Sequence, residues 1–132
     1  MKNVIILNFF CAFLISSCAK TNCNELKYNE GITKLNGEIF SGTCKSFYFT
    51  GEPKSKEEYL NGLDHGKWIF YFRNGNIQTE GVFNLGQKVG LWKYYFKNGN
   101  IWKEESYSTI GKPEGYWNEF DENGTLINKD LF

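Results

Sequence analysis

Residues 90–107, GLWKYYFKNGNIWKEESY, decide the fold of this chain of 132 residues. Two runs rich in aromatic and β-branched side chains flank the pair Asn98-Gly99. Such a pair between such runs is the strongest short-range signal for a β-hairpin, since both central residues of a type I′ turn need a positive φ. The stretch therefore predicts an antiparallel hairpin with its turn at positions 98 and 99.

The same pattern occurs in four successive units. Each begins with a leading glycine, Gly42, Gly66, Gly90 or Gly115, and these are spaced by 24, 24 and 25 residues. A turn signal follows each of them, at Thr50-Gly51, Asn74-Gly75, Asn98-Gly99 and Asn123-Gly124. Self-similarity at a fixed period marks a repeat architecture. We expect an all-β fold in which four hairpins, residues 42–65, 66–89, 90–114 and 115–132, continue as one open antiparallel meander.

A two-residue turn at positions 74 and 75 fixes the register of the second unit. It pairs Arg73 with Asn76, Phe72 with Ile77, Phe70 with Thr79 and Gly66 with Phe83. The same register sets Gly42 against Tyr59, Gly90 against Tyr107, and Gly115 against Phe132. An aromatic ring then faces each leading glycine, as expected where a ring covers bare backbone on the next strand.

Two aromatic columns recur on opposite faces of the predicted strands. Cys44, Trp68, Trp92 and Trp117 share one repeat position, and Phe47, Tyr71, Tyr95 and Phe120 share another. An open sheet buries apolar area with a few large side chains, so we expect the tryptophans to form a packed spine. The alternative is a tryptophan binding platform. If the tryptophans are packed, the column on the opposite face supplies the candidate contact residues Tyr71, Tyr95 and Phe120, and Trp102 is another because it stands off the spine.

The N-terminal segment MKNVIILNFFCAFLISSC predicts export. A lysine, an apolar run and small residues before a cysteine are typical of a secretory signal peptide, and the run is too short for a lasting membrane span. Residues 15–18, ISSC, resemble the bacterial lipobox, in which the cysteine is acylated and becomes the new N-terminus. The alternative is an ordinary signal peptide with a chance cysteine.

The lipobox divides the chain into a lipoprotein signal peptide at 1–17, a tether at 18–30 that begins with lipidated Cys18, and a repeat domain at 31–132. We expect a membrane-anchored protein of the bacterial cell envelope. Ala19 and Lys20 after the cysteine favour the outer membrane, because the aspartate associated with inner-membrane retention in some bacteria is missing.

The cysteines fit an oxidising compartment. Cys23 and Cys44 predict one disulfide, worth about 3 kcal/mol for a loop of this size. The alternative is two unpaired thiols, because sequence does not show whether the Cα atoms come within reach. Cys and His do not cluster at metal-ligand spacing, so we expect neither a metal site nor a cofactor.

Charge and titratable residues argue against nucleic acid and against catalysis. The chain has 15 basic and 15 acidic residues, so no strong field attracts nucleic acid. His65, the one histidine, lies in a connection without a nucleophile beside it, and we interpret it as a turn residue. Glu57-Glu58 and Glu104-Glu105 are pairs of neighbours, and the two side chains of each pair point to opposite faces of a strand. They therefore do not form catalytic carboxylate pairs, and we expect solvated edges there.

The pattern G-x-W-x-x-Y-F-x-N-G-x-I in residues 66–77 and 90–101 resembles the bacterial variant of the MORN (membrane occupation and recognition nexus) repeat, as in YwqK-type antitoxin-like proteins. The resemblance covers residue 42 to the C-terminus, with 28–41 as a lead-in strand or cap. Cys44 and Thr50 depart from the pattern in the first unit and Asp121 in the last, which suggests terminal caps. The resemblance implies hairpin arrays that act in protein or membrane contact, and the antitoxin label implies a toxic partner.

Three functions follow as hypotheses. We favour a membrane-anchored, non-catalytic repeat module that presents a hairpin surface to a protein partner or acts as a scaffold. The second is an antitoxin or immunity-like protein. The third is cell-envelope glycan binding through exposed aromatic side chains.

Overall fold

The computed structural model describes residues 21–132, which form an almost entirely β structure. The strands are β1 (Thr21–Asn22), β2 (Leu26–Asn29), β3 (Ile32–Leu35), β4 (Glu38–Ile39), β5 (Gly42–Phe47), β6 (Pro53–Leu60), β7 (Leu63–Asp64), β8 (Gly66–Tyr71), β9 (Ile77–Asn84), β10 (Gln87–Tyr95), β11 (Ile101–Tyr107), β12 (Tyr116–Phe120) and β13 (Leu126–Leu131). One 3-10 turn, Cys23–Glu25, lies between β1 and β2. Within residues 21–132 no helix has the length and apolar character needed to cross a membrane.

The main sheet is an antiparallel meander. Strands β5, β6, β8, β9, β10, β11, β12 and β13 lie side by side in chain order, and β7 extends the pairing with β6. β1 pairs in parallel with the outer side of β5. The predicted all-β array of hairpins is therefore confirmed, with β1 covering one edge of the sheet and β13 forming the other.

Residues 26–39 form a separate three-stranded sheet, β2-β3-β4. The sequence instead predicts a tether up to residue 30 and then a lead-in strand. Tight turns fold this segment onto itself, and Gly62 joins it to the main sheet. The Thr33 N–H donates to the Gly62 carbonyl at 2.8 Å, and the Gly62 N–H donates to the Phe40 carbonyl at 2.7 Å. A Cβ on Gly62 would lie 2.5 Å from the Ile32 side chain, so this approach requires glycine.

The Asn-Gly turns differ from the predicted type I′ turns. The Gly75 N–H donates to the Phe72 carbonyl at 2.9 Å, the Phe72 N–H donates to the Asn76 carbonyl at 2.8 Å, and the left-handed residue is Gly75 alone, with a φ of 89°. The loop thus has three residues, a type I turn followed by a glycine bulge. The Asn76 N–H donates to the Asn74 side-chain oxygen at 3.1 Å, and this local bond holds Asn74 outside the left-handed region.

This loop corrects the register next to the turn. The predicted pairs Arg73 with Asn76 and Phe72 with Ile77 are wrong, since Tyr71 faces Ile77. A bulge between Phe70 and Tyr71 then restores the register, so the pairs Phe70 with Thr79 and Gly66 with Phe83 are confirmed. The pairs of Gly42 with Tyr59, Gly90 with Tyr107 and Gly115 with Phe132 are also confirmed.

Type I′ turns occur instead at the other ends of the strands, in the connections between repeats. Both central residues have positive φ at Asn61-Gly62 (51° and 77°) and at Leu85-Gly86 (47° and 85°). The connection after β11 has a three-residue loop, closed by the bond from the Ser108 N–H to the Lys112 carbonyl at 2.8 Å. This additional loop residue accounts for the spacing of 25 between the last two leading glycines.

Leu85 occupies a left-handed position that costs a branched side chain about 1–2 kcal/mol and that Asn tolerates better. Leu85→Asn is therefore expected to raise the free energy of unfolding by about 0.5–1 kcal/mol, since Leu85 is exposed and little packing is lost. Urea denaturation measures this change. Asn61→Leu at the equivalent turn is the matched control and should destabilise by a similar amount; an unchanged or lower stability for Leu85→Asn would contradict the turn assignment.

The core is thin. Phe40, Cys44 and Trp92 are the buried hydrophobic residues among those that the structure describes. The predicted disulfide is confirmed: Cys23 and Cys44 are bonded, with their Cα atoms 5.0 Å apart. It fastens the 3-10 turn to β5.

Candidate functional site

An aromatic row runs across the strands on one side of the main sheet, which we call the spine face. Its ring centroids are 5.3 Å apart for Tyr59 and Trp68, 5.0 Å for Trp68 and Phe83, 4.8 Å for Phe83 and Trp92, 5.4 Å for Tyr107 and Trp117, and 4.5 Å for Trp117 and Phe132. Trp92 is 3% exposed, whereas Trp68 and Trp117 are half-buried. The tryptophans thus pack against rings of their own unit and of the neighbouring unit.

Each spine tryptophan also donates a hydrogen bond to the preceding unit. The indole N–H groups of Trp68, Trp92 and Trp117 donate to the backbone carbonyls of Glu58, Val82 and Ser106 at 2.8, 3.1 and 3.0 Å. A Cβ on Gly81 would lie 2.2 Å from the Trp92 ring, so Trp92 lies directly on the backbone there. The spine therefore connects one hairpin to the next.

A buried carboxylate lies on the spine face beside Trp92. Glu105 is 7% exposed and accepts hydrogen bonds from the Tyr94 hydroxyl at 2.8 Å and the Tyr107 hydroxyl at 2.9 Å. The Lys103 ammonium lies 2.9 Å from the same carboxylate. The expectation of a solvated edge was wrong for Glu105, because Tyr94 on the neighbouring strand and Lys103 and Tyr107 on its own strand cover it.

Lys88 completes this cluster. Its ammonium lies 4.6 Å from the Trp92 ring centroid, 5.4 Å from Tyr94 and 5.5 Å from Tyr107, and 3.5 Å from the Glu105 carboxylate. It also donates to the Tyr94 hydroxyl at 2.6 Å. The aromatic cage is thus filled by the chain's own cation, Lys88, which is also paired with the Glu105 carboxylate.

Burial alone would raise the pKa of Glu105, but hydrogen bonds from Lys103, Tyr94 and Tyr107 outweigh it and hold the pKa below its usual range. A carboxyl group with a lowered pKa in the folded state stabilises above its unfolded pKa, and this contribution is lost as the pH falls through the folded value. Glu105→Gln is expected to lower the free energy of unfolding by roughly 1.5–3 kcal/mol at pH 7. It should also flatten the decline of stability below about pH 4.5.

Urea titrations from pH 3 to pH 7 measure this effect. Glu122→Gln, in an exposed turn, is the control and should leave the profile unchanged. Parallel pH profiles for the wild type and Glu105→Gln would contradict the assignment.

The opposite side of the sheet, which we call the open face, carries the second predicted column. Tyr71, Tyr95 and Phe120 are half-buried there. The Tyr95 hydroxyl donates to the Glu80 carboxylate at 2.8 Å, and burial, followed by this bond, raises the pKa of Tyr95 to about 12. The Lys67 ammonium lies 3.0 Å from Glu80. Tyr95 is therefore already committed to an internal polar contact.

Sequence reasoning missed the more exposed apolar residues of the open face. Val82, Leu91 and Tyr116 are exposed, with Leu91 at 48%. Val82 and Leu91 share a shallow depression with Lys67 and Lys93. The period-two alternation around Trp92 and Trp117 was the signal that places these neighbours on the face opposite the spine.

Trp102 does not join Tyr71, Tyr95 and Phe120. Its ring centroid lies 6.3 Å from those of both Tyr94 and Phe96, on the spine face, and it is 45% exposed. A bulge between Tyr94 and Tyr95 breaks the alternation there. The candidate contact residues thus lie on two faces.

Four hairpins with a common spine and common turns correspond to a known repeat. A family model described as the MORN repeat variant matches residues 40–61, 64–84, 88–108 and 113–132. This chain belongs to the MORN repeat variant family. No curated protein matches the chain.

Among solved structures, the MORN array is similar to a chain in the crystal structure of the GtfA/B complex bound to UDP and GlcNAc. The identity is 12%, the TM-score is 0.34, and the match covers 81% of this chain and 23% of that chain. Our chain thus spans about a quarter of the length of that protein.

The turns of successive MORN repeats are joined by asparagine side chains. The Asn74 and Asn76 amides donate to the Lys97 carbonyl at 2.8 and 2.9 Å, and the Asn98 and Asn100 amides donate to the Glu122 carbonyl at 3.2 and 2.7 Å. In the last repeat the Asp121 carboxylate instead accepts from the backbone of its own turn. The turn asparagines Asn74 and Asn98 therefore stack the repeats.

The remaining predicted residues are placed as follows. Cys23, Cys44 and Glu57 are near enough to share a metal ion, but the two sulfurs are bonded to each other. The His65 imidazole nitrogen Nδ1 accepts from the Leu85 N–H at 3.4 Å, so His65 links the connection before β8 to the connection after β9. Cys18 and the signal segment 1–17 lie outside the described residues.

Proposed function

We propose that this MORN-repeat protein is an exported, lipid-anchored and non-catalytic module of the bacterial cell envelope, which binds a protein partner through its open face. The observation that carries the proposal is the set of exposed apolar side chains Val82, Leu91 and Tyr116 on the face opposite the spine. Exposed apolar patches rimmed by polar groups mark interaction sites in soluble domains.

The charges of the open face fit a contact surface. The ion pairs Lys67 with Glu80 at 3.0 Å and Lys93 with Glu104 at 3.9 Å flank the exposed side chains. Glu80 and Glu104 are largely covered, whereas the side chains of Lys67 and Lys93 are 53% and 34% exposed. These ammonium groups can give specificity to a partner, as the polar rim does in known interfaces.

Two features support the anchor and the compartment. The N-terminal segment ends in a lipobox-like ISSC, and β1 begins at Thr21, three residues after Cys18. The Cys23–Cys44 disulfide suits an oxidising compartment, where such bonds persist. We propose the outer membrane as its location because Ala19 and Lys20 follow Cys18.

A proximity pull-down from native membranes tests the proposal. The wild type is compared with Cys18→Ala, with Leu91→Asp, with the double variant Tyr71→Ala/Tyr95→Ala, and with Ile110→Asp, an exposed apolar turn residue off the open face. We expect one enriched protein that Leu91→Asp loses and Ile110→Asp keeps. Cys18→Ala should leave the membrane fraction.

The identity of the enriched protein separates two roles. If the enriched protein is toxic to cells from which the repeat protein has been deleted, the repeat protein is an antitoxin. If the enriched protein is a structural protein of the envelope, the repeat protein is a scaffold. Equal enrichment by Leu91→Asp and Ile110→Asp would contradict the use of the open face. A membrane-bound Cys18→Ala protein would contradict the lipid anchor.

A second candidate, glycan binding, rests on Trp102. Its half-exposed ring beside Tyr94 and Phe96 offers an apolar surface on which a sugar ring can stack. Retention on cell-envelope polysaccharide should then be lost in Trp102→Ala and unchanged in Leu91→Asp. Equal retention of the wild type, Trp102→Ala and Leu91→Asp would contradict this role.

A further inference from the structure

The series of spine tryptophans ends at the first repeat, where a disulfide stands instead. Cys44 occupies the repeat position that is a tryptophan in the other units, and it is bonded to Cys23 of the 3-10 turn. Cys44 lies directly opposite Glu57 on β6. This pair corresponds to Trp92 and Glu105 in the third repeat. The two sulfurs and a carboxylate oxygen of Glu57 all lie within 4.8 Å of one another, so three donor atoms converge at this end of the sheet.

Glu57 lacks the cations that lie beside Glu105. The two repeat positions that supply lysines to Glu105 hold Phe40 and Ser55 in the first unit. Among residues 21–132, no lysine, arginine or histidine nitrogen lies within 4 Å of the Glu57 carboxylate. Glu57 is half-buried, and a partly buried carboxylate without an opposite charge is costly. A bound cation would remove this cost.

Hydrogen bonds already orient the donor atoms. The Tyr59 hydroxyl donates to Glu57 Oε2 at 2.7 Å, and the second oxygen, Oε1, can bind a cation. The Ser55 hydroxyl donates to the Cys23 sulfur at 3.9 Å. Asp64 lies opposite Tyr59, so a further carboxylate stands on the same face. Outer contacts of this kind hold the ligands in metal sites.

We propose that Cys23, Cys44 and Glu57 bind a zinc ion when the disulfide is reduced. Thiolate and carboxylate groups are common zinc ligands, and with three protein ligands a water molecule completes the tetrahedron. The two thiolates favour zinc over magnesium and calcium, which prefer oxygen ligands. The spacing of the sequence does not show this set, because its members come from the 3-10 turn, β5 and β6. Zinc and the disulfide then alternate as the link between the 3-10 turn and β5.

Reduction begins at the more accessible sulfur. Cys44 is 0% exposed, whereas Cys23 is half-buried, so a thiolate of a dithiol reductant attacks the Cys23 Sγ. The Cys23–Cys44 bond breaks, Cys44 leaves as the thiolate, and a mixed disulfide forms on Cys23. The second thiol of the reductant then attacks its own sulfur in the mixed disulfide and releases Cys23. The dithiol gives up two electrons and two protons in this exchange, and both cysteines release their protons when they bind zinc.

Metal titration of the reduced protein tests the site. The parent protein is the full chain with Cys11→Ser and Cys18→Ser, so that Cys23 and Cys44 are its only cysteines. It is reduced in detergent with a phosphine, which is then removed under nitrogen, and Zn²⁺ is added against a chromogenic chelator. We expect one zinc ion per chain in the reduced protein and none in the oxidised protein. Cd²⁺ in place of Zn²⁺ should give thiolate charge-transfer absorption.

Glu57→Gln isolates the carboxylate. This change should weaken zinc binding by the reduced parent about 10-fold or more, since even the outer contacts of metal ligands contribute this much. Glu58→Gln is the matched control, because the Glu58 side chain points to the opposite face of the same strand, and it should leave the affinity unchanged. Equal affinities of the parent and Glu57→Gln, or equal zinc binding before and after reduction, would overturn the proposal.

Amide hydrogen exchange shows whether zinc replaces the disulfide as a link. Reduction should increase exchange in β5, and zinc should restore its protection in the parent. Cys23→Ser/Cys44→Ala in the same background should show no such recovery. Zinc that binds to the parent without restoring the protection of β5 would overturn the exchange of one link for the other.

Discussion

Trp92→Ala is expected to lower the free energy of unfolding by about 3–5 kcal/mol, the range for removing a buried tryptophan. Trp92 is 3% exposed, lies on the bare backbone of Gly81, packs 4.8 Å from Phe83 and donates to the Val82 carbonyl. Small domains have only about 5–15 kcal/mol of stability. The variant should therefore unfold at a urea concentration and a temperature at which the wild type is still folded.

Thermal and urea denaturation followed by tryptophan fluorescence and circular dichroism measure this loss. Trp102→Ala is the control, because Trp102 is half-exposed and makes no hydrogen bond through its indole among residues 21–132. Trp102→Ala should lower the free energy of unfolding by about 1 kcal/mol, because the Trp102 side chain buries less apolar area than Trp92. Equal losses for the two variants would contradict a spine that connects the repeats.

Removal of the disulfide is the second large effect. Cys23→Ser/Cys44→Ala is expected to lower the free energy of unfolding by about 3 kcal/mol, since the bond closes a loop with a sequence separation of 21 residues. β1 has only two residues and pairs with β5 alone. Without the bond, β1 should separate from β5 and expose an unpaired sheet edge.

Urea denaturation and amide hydrogen exchange of β5 measure this effect. The wild type in reducing agent should match the double variant, and the double variant should not respond to reducing agent. Full protection of β5 in the double variant would show that two residues of parallel pairing suffice and would contradict this account.

The hairpin array was predictable because its signals are local and repeated. The glycine and aromatic spacing fixed the pairing of Gly90 with Tyr107 and of Gly66 with Phe83, far from the turns. The turn type was not predictable from Asn74-Gly75, because the Asn74 side chain bonds its own loop and the next repeat. A bulge then compensates for the additional loop residue, which is why the distant pairs were still right.

The site was less predictable because it depends on contacts between strands. The pair Glu104-Glu105 resembles a solvated edge in the sequence, and the burial of Glu105 depends on Tyr94 from the neighbouring strand as well as on Lys103 and Tyr107 from its own strand. Trp102 lies on the spine face because a β-bulge interrupts the period-two alternation, and the sequence pattern does not show this bulge. The exposure of Phe49 was not predicted either, since it depends on what the fold leaves uncovered.

Photo-crosslinking in native membranes tests the central claim most directly, namely that the open face binds a partner while the spine face serves the fold. A photoreactive amino acid replaces Leu91 on the open face or Trp102 on the spine face, and adducts are compared after irradiation. The account predicts a discrete protein adduct from position 91 and none from position 102. No adduct from position 91, or the same adduct from both positions, would contradict it.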